Sequence, residues 1–308
     1  MARLQWLELP ARVRDAITDI AGAPVASAVS QSGGFSPGSA DRLLLADGRR
    51  VFAKAVSTSQ DPQSPGIHRR EIARASALPP SAPAPRLLGS YDDGEWVALV
   101  LEDVDARHPA EPWTAADLAA CLDALDRLAD SCTPSPLAEV ASAADELRGD
   151  FAGFDRIAAD PTGVAASALD HLDELRNLAA RAADAVDGET LVHLDIRSDN
   201  LLIEPSGRVV IIDWPWACTG ADWLDTLTLL LNAQFVGCAD IDADALVATT
   251  PRLSGVSDEI VDAVLAGFCA FFLDAARRPA PPGLPTLRAF QLAQGVSTLA
   301  WLGRRRGW

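Results

Sequence analysis

Apolar positions follow two different rhythms along this chain. Up to about residue 102 they alternate with polar residues or form short runs; beyond about residue 113 they recur at helical spacing. Leu9-Pro10 opens a short helix over residues 11–20, with Val13, Ile17 and Ile20 on one face. Strands are expected at 25–30, 42–46 and 50–56, the last two flanking Asp47-Gly48, a tight-turn pair. A helix over 68–78 ends in the proline cluster that begins at Pro79. Strands at 86–91 and 96–101 then flank Asp92-Asp93-Gly94, which completes a five-stranded antiparallel sheet with one inserted helix. Further on, Thr114 with Asp117 three residues later marks a helix start that runs to about residue 130. Helical periodicity also covers 141–151, 166–186, 222–235, 257–278 and 285–302, and it is interrupted between 191 and 212 by two short β-prone runs, 201–204 and 209–212. The expected fold class is α+β, a small β-rich lobe (1–103) joined through a hinge at Glu102 to Asp105 to a large helical lobe (104–308).

Charge narrows the partners. The 308 residues carry 26 Lys plus Arg against 43 Asp plus Glu, a net charge of −17. Such a chain repels nucleic acid and anionic membrane surfaces, so neither is an expected partner. Five cysteines, an odd number with no CxxC spacing, argue against a disulfide framework or a structural zinc site and fit a reducing cytoplasm. The first residues lack the apolar core of a secretion signal, and the longest apolar run, 263–273, is well short of the roughly 20 residues that span a bilayer. Lys54 is the only lysine; every other basic side chain counted above is arginine. A position that escapes such a bias suits a site needing a compact ammonium rather than a planar guanidinium.

The interruption between helices holds the chemistry. It reads His193-Leu194-Asp195-Ile196-Arg197-Ser198-Asp199-Asn200, an HxDxxxxN segment. Thirteen residues after Asn200 comes Asp213, at the end of the apolar run Val209 to Ile212. A carboxylate at Asp195 can orient a substrate hydroxyl and accept its proton. The amide oxygen of Asn200 and the carboxylate of Asp213 can share a hard cation such as Mg²⁺, which takes oxygen ligands and keeps several waters. A hairpin between them returns both to one end of adjacent strands.

With these residues the chain resembles the aminoglycoside phosphotransferases and related small-molecule kinases of the protein-kinase-like superfamily. The resemblance extends over almost the whole chain. Gly33, Gly34 and Gly38 lie in a glycine-rich loop, Lys54 sits in the strand segment Val51-Phe52-Ala53-Lys54, Glu71 lies in the following helix, and Val100 to Val104 is hinge-like. It implies a two-lobed fold and a set of roles. Lys54, held by Glu71, would bind the α- and β-phosphates of ATP or GTP under the glycine loop. Backbone groups at Glu102 and Val104 would meet the base, and Asn200 and Asp213 would hold Mg²⁺. Asp195 would be the catalytic carboxylate, Arg197 would lie near the γ-phosphate, and His193 and Asp225 would brace the loop.

Departures from the pattern sharpen the expectation. The loop is not a full GxGxxG, Leu194 stands where protein kinases carry Arg, and Trp214-Pro215 follows the metal-binding Asp in place of Phe-Gly. The helix expected from Asp222 starts only nine positions after Asp213, too few for a peptide-docking segment, so no protein substrate is expected. Gly34-Phe35-Ser36-Pro37-Gly38 matches GxSxG, but a strand follows it where a nucleophile elbow needs a helix, and no Walker-type GxxxxGK[ST] occurs. The expected activity is transfer of a γ-phosphoryl group to a small-molecule hydroxyl. A cationic aminoglycoside-like antibiotic or amino sugar would be a fitting acceptor, with walls drawn from residues 105–113, Trp216 and the helices carrying Glu259, Asp262 and Asp274. The sequence leaves open a metabolic kinase for choline, homoserine or a sugar, and a silent nucleotide-binding module.

Overall fold

The computed structural model describes residues 4–31, 38–137, 139–238, 242–281 and 284–308. Its elements run α1 (Ala11–Ala21), β1 (Val25–Ser30), β2 (Ser39–Leu45), β3 (Arg50–Ser57), α2 (Ser64–Ala77), β4 (Leu87–Asp92) and β5 (Trp96–Glu102). Next come α3 (Ala115–Ser131), α4 (Ala143–Phe151), α5 (Gly153–Ala159), α6 (Ala166–Leu169), α7 (Leu172–Ala185) and β6 (Thr190–Val192). After β7 (Leu201–Ile203), β8 (Val209–Ile211) and β9 (Cys218–Gly220), the chain closes with α8 (Leu224–Val236), α9 (Ala243–Thr249), α10 (Asp258–Ala276) and α11 (Leu287–Arg306). They form two compact units. The first comprises residues 1–109 and 199–217, the second 110–198 and 218–308.

In the first unit the antiparallel sheet has the order β1-β2-β3-β5-β4, the expected five strands. Alternation along β3 and β5 sorts their side chains. Val51, Ala53 and Ala55, with Trp96, Ala98 and Val100, join Val13, Ile17 and Ala21 of α1 in one buried cluster. The intervening Lys54, paired in register with Ala40 on β2 and Leu99 on β5, points to the other face. Helix α2 packs against β3, β4 and β5; it begins at Ser64, one turn earlier than expected, because Pro65 suits the first turn of a helix. The β7–β8 hairpin joins this unit through backbone bonds: Ile211 N–H donates to the Pro83 carbonyl at 2.6 Å, and Arg107 and Ile203 exchange bonds of 3.1 and 2.7 Å.

The second unit is mainly helical. The mostly apolar α10 packs against α4, α5, α7 and α11. Side-chain caps begin several helices where the sequence suggests. Thr114 accepts from Asp117 N–H at 3.2 Å, and Ser142 from Asp145 N–H at 3.1 Å. The stretch expected as one helix over 166–186 is two, α6 and α7, broken at Asp170 and His171. The His171 ring stacks on Trp308 at 4.3 Å, a partner 137 positions away that no local pattern reveals. Helix α11 outruns the expected residue 302 by a full turn. Two of its last-turn arginines are met by carboxylates, with Arg305 reaching Asp244 at 2.6 Å and Asp258 at 2.8 Å, and Arg306 reaching Glu174. The short elements α5, α9, β6 and β9 were not anticipated. No described helix is long and apolar enough to cross a membrane.

Candidate active site

Three of the residues singled out from sequence, Lys54, Glu71 and Asp213, meet in the first unit. Lys54 Nζ donates to Glu71 Oε1 at 2.8 Å and also to Asp213 Oδ1. The Lys54 and Glu71 side chains are 14% and 4% exposed, whereas that of Asp213 is 42% exposed, so the ammonium lies between a sealed carboxylate and an open one. Burial opposes the charge on Lys54, but the attraction of Asp213 and then of Glu71 outweighs it and holds the ammonium well above its ordinary pKa. Burial also raises the carboxyl of Glu71, with Lys54 pulling the other way. Asn200 is buried and lies opposite Ile212, whose N–H donates to its carbonyl at 2.9 Å. The hairpin register pairs Leu201 with Ile211, so Asn200 and Asp213 leave the same end of it.

Asp213 has φ of +64°, a left-handed conformation uncommon for a residue with a side chain. Such backbones persist where the surroundings over-determine them, often at functional sites. After it, Trp214 is buried with its indole N–H donated to the Ile211 carbonyl at 2.9 Å, and Ala217 N–H closes the turn on the Trp214 carbonyl at 3.3 Å. As hard oxygen donors, Asn200 and Asp213 fit Mg²⁺, which is held by one or two protein oxygens together with substrate phosphates and water. Among the described residues no group of three or more His, Cys, Asp or Glu is arranged to hold a metal by itself.

Other predicted contacts in this unit stand differently. Gly33 and Gly34 lie outside the described residues. Gly38 is described, and a Cβ there would come within 2.3 Å of the Ala55 carbonyl oxygen, so this close approach of loop to strand requires glycine. In the segment expected as a hinge, Glu102 N–H donates to the Arg86 carbonyl at 3.0 Å. The Val104 carbonyl accepts from Arg42 Nη2 at 2.6 Å, and Arg42 also grips the buried Asp103 through bonds of 2.7 and 3.1 Å. The Glu102 N–H and the Val104 carbonyl are therefore already engaged, the second by Arg42, which is some sixty positions away in sequence.

The second unit holds Asp195 and Arg197, joined by a bond of 2.7 Å from Arg197 Nη1 to Asp195 Oδ1. The segment before them is fixed from helix α8. The buried Asp225 accepts from His193 N–H at 2.6 Å and from Leu194 N–H at 3.0 Å, while Leu194 has φ of +70°. Asp195 N–H reaches His193 Nδ1 at 3.3 Å. Sequence reasoning missed two further anchors: Asn232 Oδ1 accepts from Ser198 N–H and from the Trp113 indole, both at 3.2 Å, and Ser198 Oγ meets Glu111 at 2.5 Å. Burial raises the carboxyl of Asp225, partly offset by the His193 ring and by the two N–H donors.

A family model, the phosphotransferase enzyme family, matches residues 37–277. The chain belongs to that family. Among solved structures this phosphotransferase is similar to an aminoglycoside phosphotransferase from Alicyclobacillus acidocaldarius (16% identity, 94% of each chain, TM-score 0.57). It is also similar to the choline kinase LicA from Streptococcus pneumoniae (14% identity, 94% of this chain and 98% of that one, TM-score 0.64). A third is a thermostable variant of aminoglycoside phosphotransferase APH(4)-Ia in ternary complex with AMP-PNP and hygromycin B (15% identity, 96% and 98% covered, TM-score 0.60). No curated protein matches the phosphotransferase by sequence. The kinase-like fold expected from the HxDxxxxN segment and the Asp after it is thus the observed one.

Two carboxylates on the expected acceptor walls are not open to a ligand's charge. Asp274 is buried between Arg156 at 2.8 Å and Arg278 at 2.5 Å, and Asp262 is buried against Arg305 at 2.5 Å. In this phosphotransferase both carboxylates are spent on arginines of their own unit, as buried charges must be paired.

Proposed function

We propose that this phosphotransferase moves the γ-phosphoryl group of ATP or GTP to a hydroxyl of a small molecule, with Mg²⁺. The reading is carried by the meeting of Lys54, Glu71 and Asp213 beside Asn200, an arrangement that pairs one compact cation with oxygen donors suited to a phosphate-bound metal. Lys54, steadied by Glu71, binds the α- and β-phosphates. Asn200 and Asp213 hold Mg²⁺, which when bound neutralises phosphate charge. Asp195 orients the acceptor hydroxyl for in-line attack and accepts its proton. Arg197 steadies the Asp195 carboxylate and lies near the transferred group. Most of the rate arises from position and fixed charge, because phosphoryl transfer needs little covalent work from the protein.

Nucleotide binding belongs to residues 1–103 with the β7–β8 hairpin, and the acceptor to the helical part. Similarity to proteins solved with AMP-PNP and hygromycin B, or with ADP and spectinomycin, supports the donor and the class of acceptor. With Asp262 and Asp274 neutralised by arginines, a polycation has fewer carboxylates to meet, so choline, a sugar or an uncharged antibiotic hydroxyl is as fitting an acceptor as an aminoglycoside. A reducing cytoplasm suits the five cysteines, all of them free thiols.

The test is nucleotide turnover with Mg²⁺ against a panel of hydroxylated amines, sugars and antibiotics, with Asp195→Ala as the blank. Acceptor-dependent turnover that vanishes in the variant is the expected result. A protein that binds no Mg–nucleotide refutes the reading.

A further inference from the structure

The turn that carries Asp213 is tied to helix α2 at more points than the ion pair requires. Arg70, Glu71 and Arg74 fall within about a 100° arc of that helix. Glu71 reaches Asp213 through Lys54. Arg70 lays its guanidinium over the Trp216 ring, 4.4 Å from the centroid. Arg74 donates from Nε to the Ala217 carbonyl at 2.6 Å. Trp216 is 38% exposed, so its place over Arg70 is not enforced by a surrounding core.

Asp213 needs such support, because its left-handed backbone is one that an L-residue leaves readily when released. On the N-terminal side Ile212 is held by Asn200; on the C-terminal side the holders are Arg70 and Arg74. We infer that Arg70 and Arg74 are positioning residues for the phosphoryl transfer. Acting through Trp216 and the Ala217 carbonyl, they clamp the Asp213 turn to the helix bearing Glu71, so that the Lys54–Glu71–Asp213 set is assembled before nucleotide arrives. This rests on the reading of Asp213 as a ligand of the nucleotide-bound metal. It also assigns Trp216 to the metal side of the reaction rather than to the acceptor wall expected from sequence.

Calorimetric binding of AMP-PNP with and without Mg²⁺, alongside the melting temperature, tests the clamp on Arg70→Leu, Arg74→Met, Trp216→Leu and Trp216→Phe. Arg69→Met serves as control, since Arg69 pairs instead with Asp92 on β4. The first three variants should bind Mg–AMP-PNP about tenfold more weakly, with Mg-free AMP-PNP changed less than about twofold. Phenylalanine offers the guanidinium an aromatic face, so Trp216→Phe should recover to within about twofold of wild type, and leucine should not. The acceptor KM should stay unchanged. Equal losses with and without Mg²⁺, identical behaviour of the leucine and phenylalanine variants, or a raised acceptor KM with intact Mg–nucleotide binding would each overturn the inference. Wild-type protein that binds no Mg–AMP-PNP would overturn the proposed function and the clamp together; binding that persists unchanged in all variants would overturn the clamp alone.

Discussion

Replacing Asp225 by alanine removes the acceptor of two backbone N–H groups, those of the buried His193 and of Leu194. Hydrogen bonds to a charged group contribute about 1.5–3 kcal/mol each, so the loss is about 3–6 kcal/mol. Part returns, because the variant no longer buries a carboxylate whose protonated form burial already favours. Allowing about 1–2 kcal/mol for that relief leaves a net loss of about 2–4 kcal/mol. At about 2.1 cal/mol/K per residue, 308 residues give an unfolding entropy of about 0.65 kcal/mol/K, and a 3 kcal/mol loss lowers Tm by about 5 °C. The two bonds also hold Leu194 at φ +70°, directly before Asp195. Once released, that residue relaxes and displaces the carboxylate, and a misplacement of about 1 Å costs on the order of a hundredfold in kcat. Thermal melts and acceptor-saturated turnover measure the two effects. A variant that melts within about 1 °C of wild type with full kcat would refute the reasoning.

Lys54→Met leaves Glu71 and Asp213 facing each other without a cation and should destabilise the chain by about 3–5 kcal/mol; the double variant with Glu71→Leu should recover at least half in urea unfolding, and no recovery would show that the pair does not act as a unit. The raised carboxyl pKa of Asp225 sets a sign for acid stability. The folded chain takes up this proton at higher pH than the unfolded one, whose value is about 3.9. Stability from this group therefore falls as pH rises between the two values, and Asp225→Asn should flatten that part of a stability–pH curve. Thiol titration of the native protein should show one fast-reacting cysteine, Cys238. The other four are buried, and burial pushes the Cys269 thiol far above its ordinary range; a second fast thiol would contradict that packing.

Much of this was legible in the chain itself. The run Val51-Phe52-Ala53-Lys54 put Lys54 on a strand, and the 200-to-213 spacing placed Asn200 and Asp213 at one end of a hairpin. Those are short-range or periodic signals. What escaped were contacts between distant positions that leave no local mark. Arg74 bonds to the carbonyl of Ala217, and a backbone acceptor has no residue-type signature. Asn232 looks like one polar residue on an apolar helix until Ser198 and Trp113 are seen to share it. Asp262 and Asp274 looked like open carboxylates because the arginines that neutralise them either lie on other helices or show only as ordinary helix-face neighbours. At the break between α6 and α7, His171 stacks on Trp308, 137 positions away.

The burial of Lys54 has a consequence for how the molecule meets reactive chemistry. Its ε-amine is the one side-chain amine among 308 residues, and it is locked as an ammonium between two carboxylates. Acylating reagents, aldehydes and enzymes that modify lysine thus find no side-chain amine standing free at the surface. Any covalent adduct that does form on a lysine reports on one place, the floor under Asp213. A nucleotide bearing an electrophile near its phosphates would be a single-site label, and its rate would measure how often the two carboxylates let go.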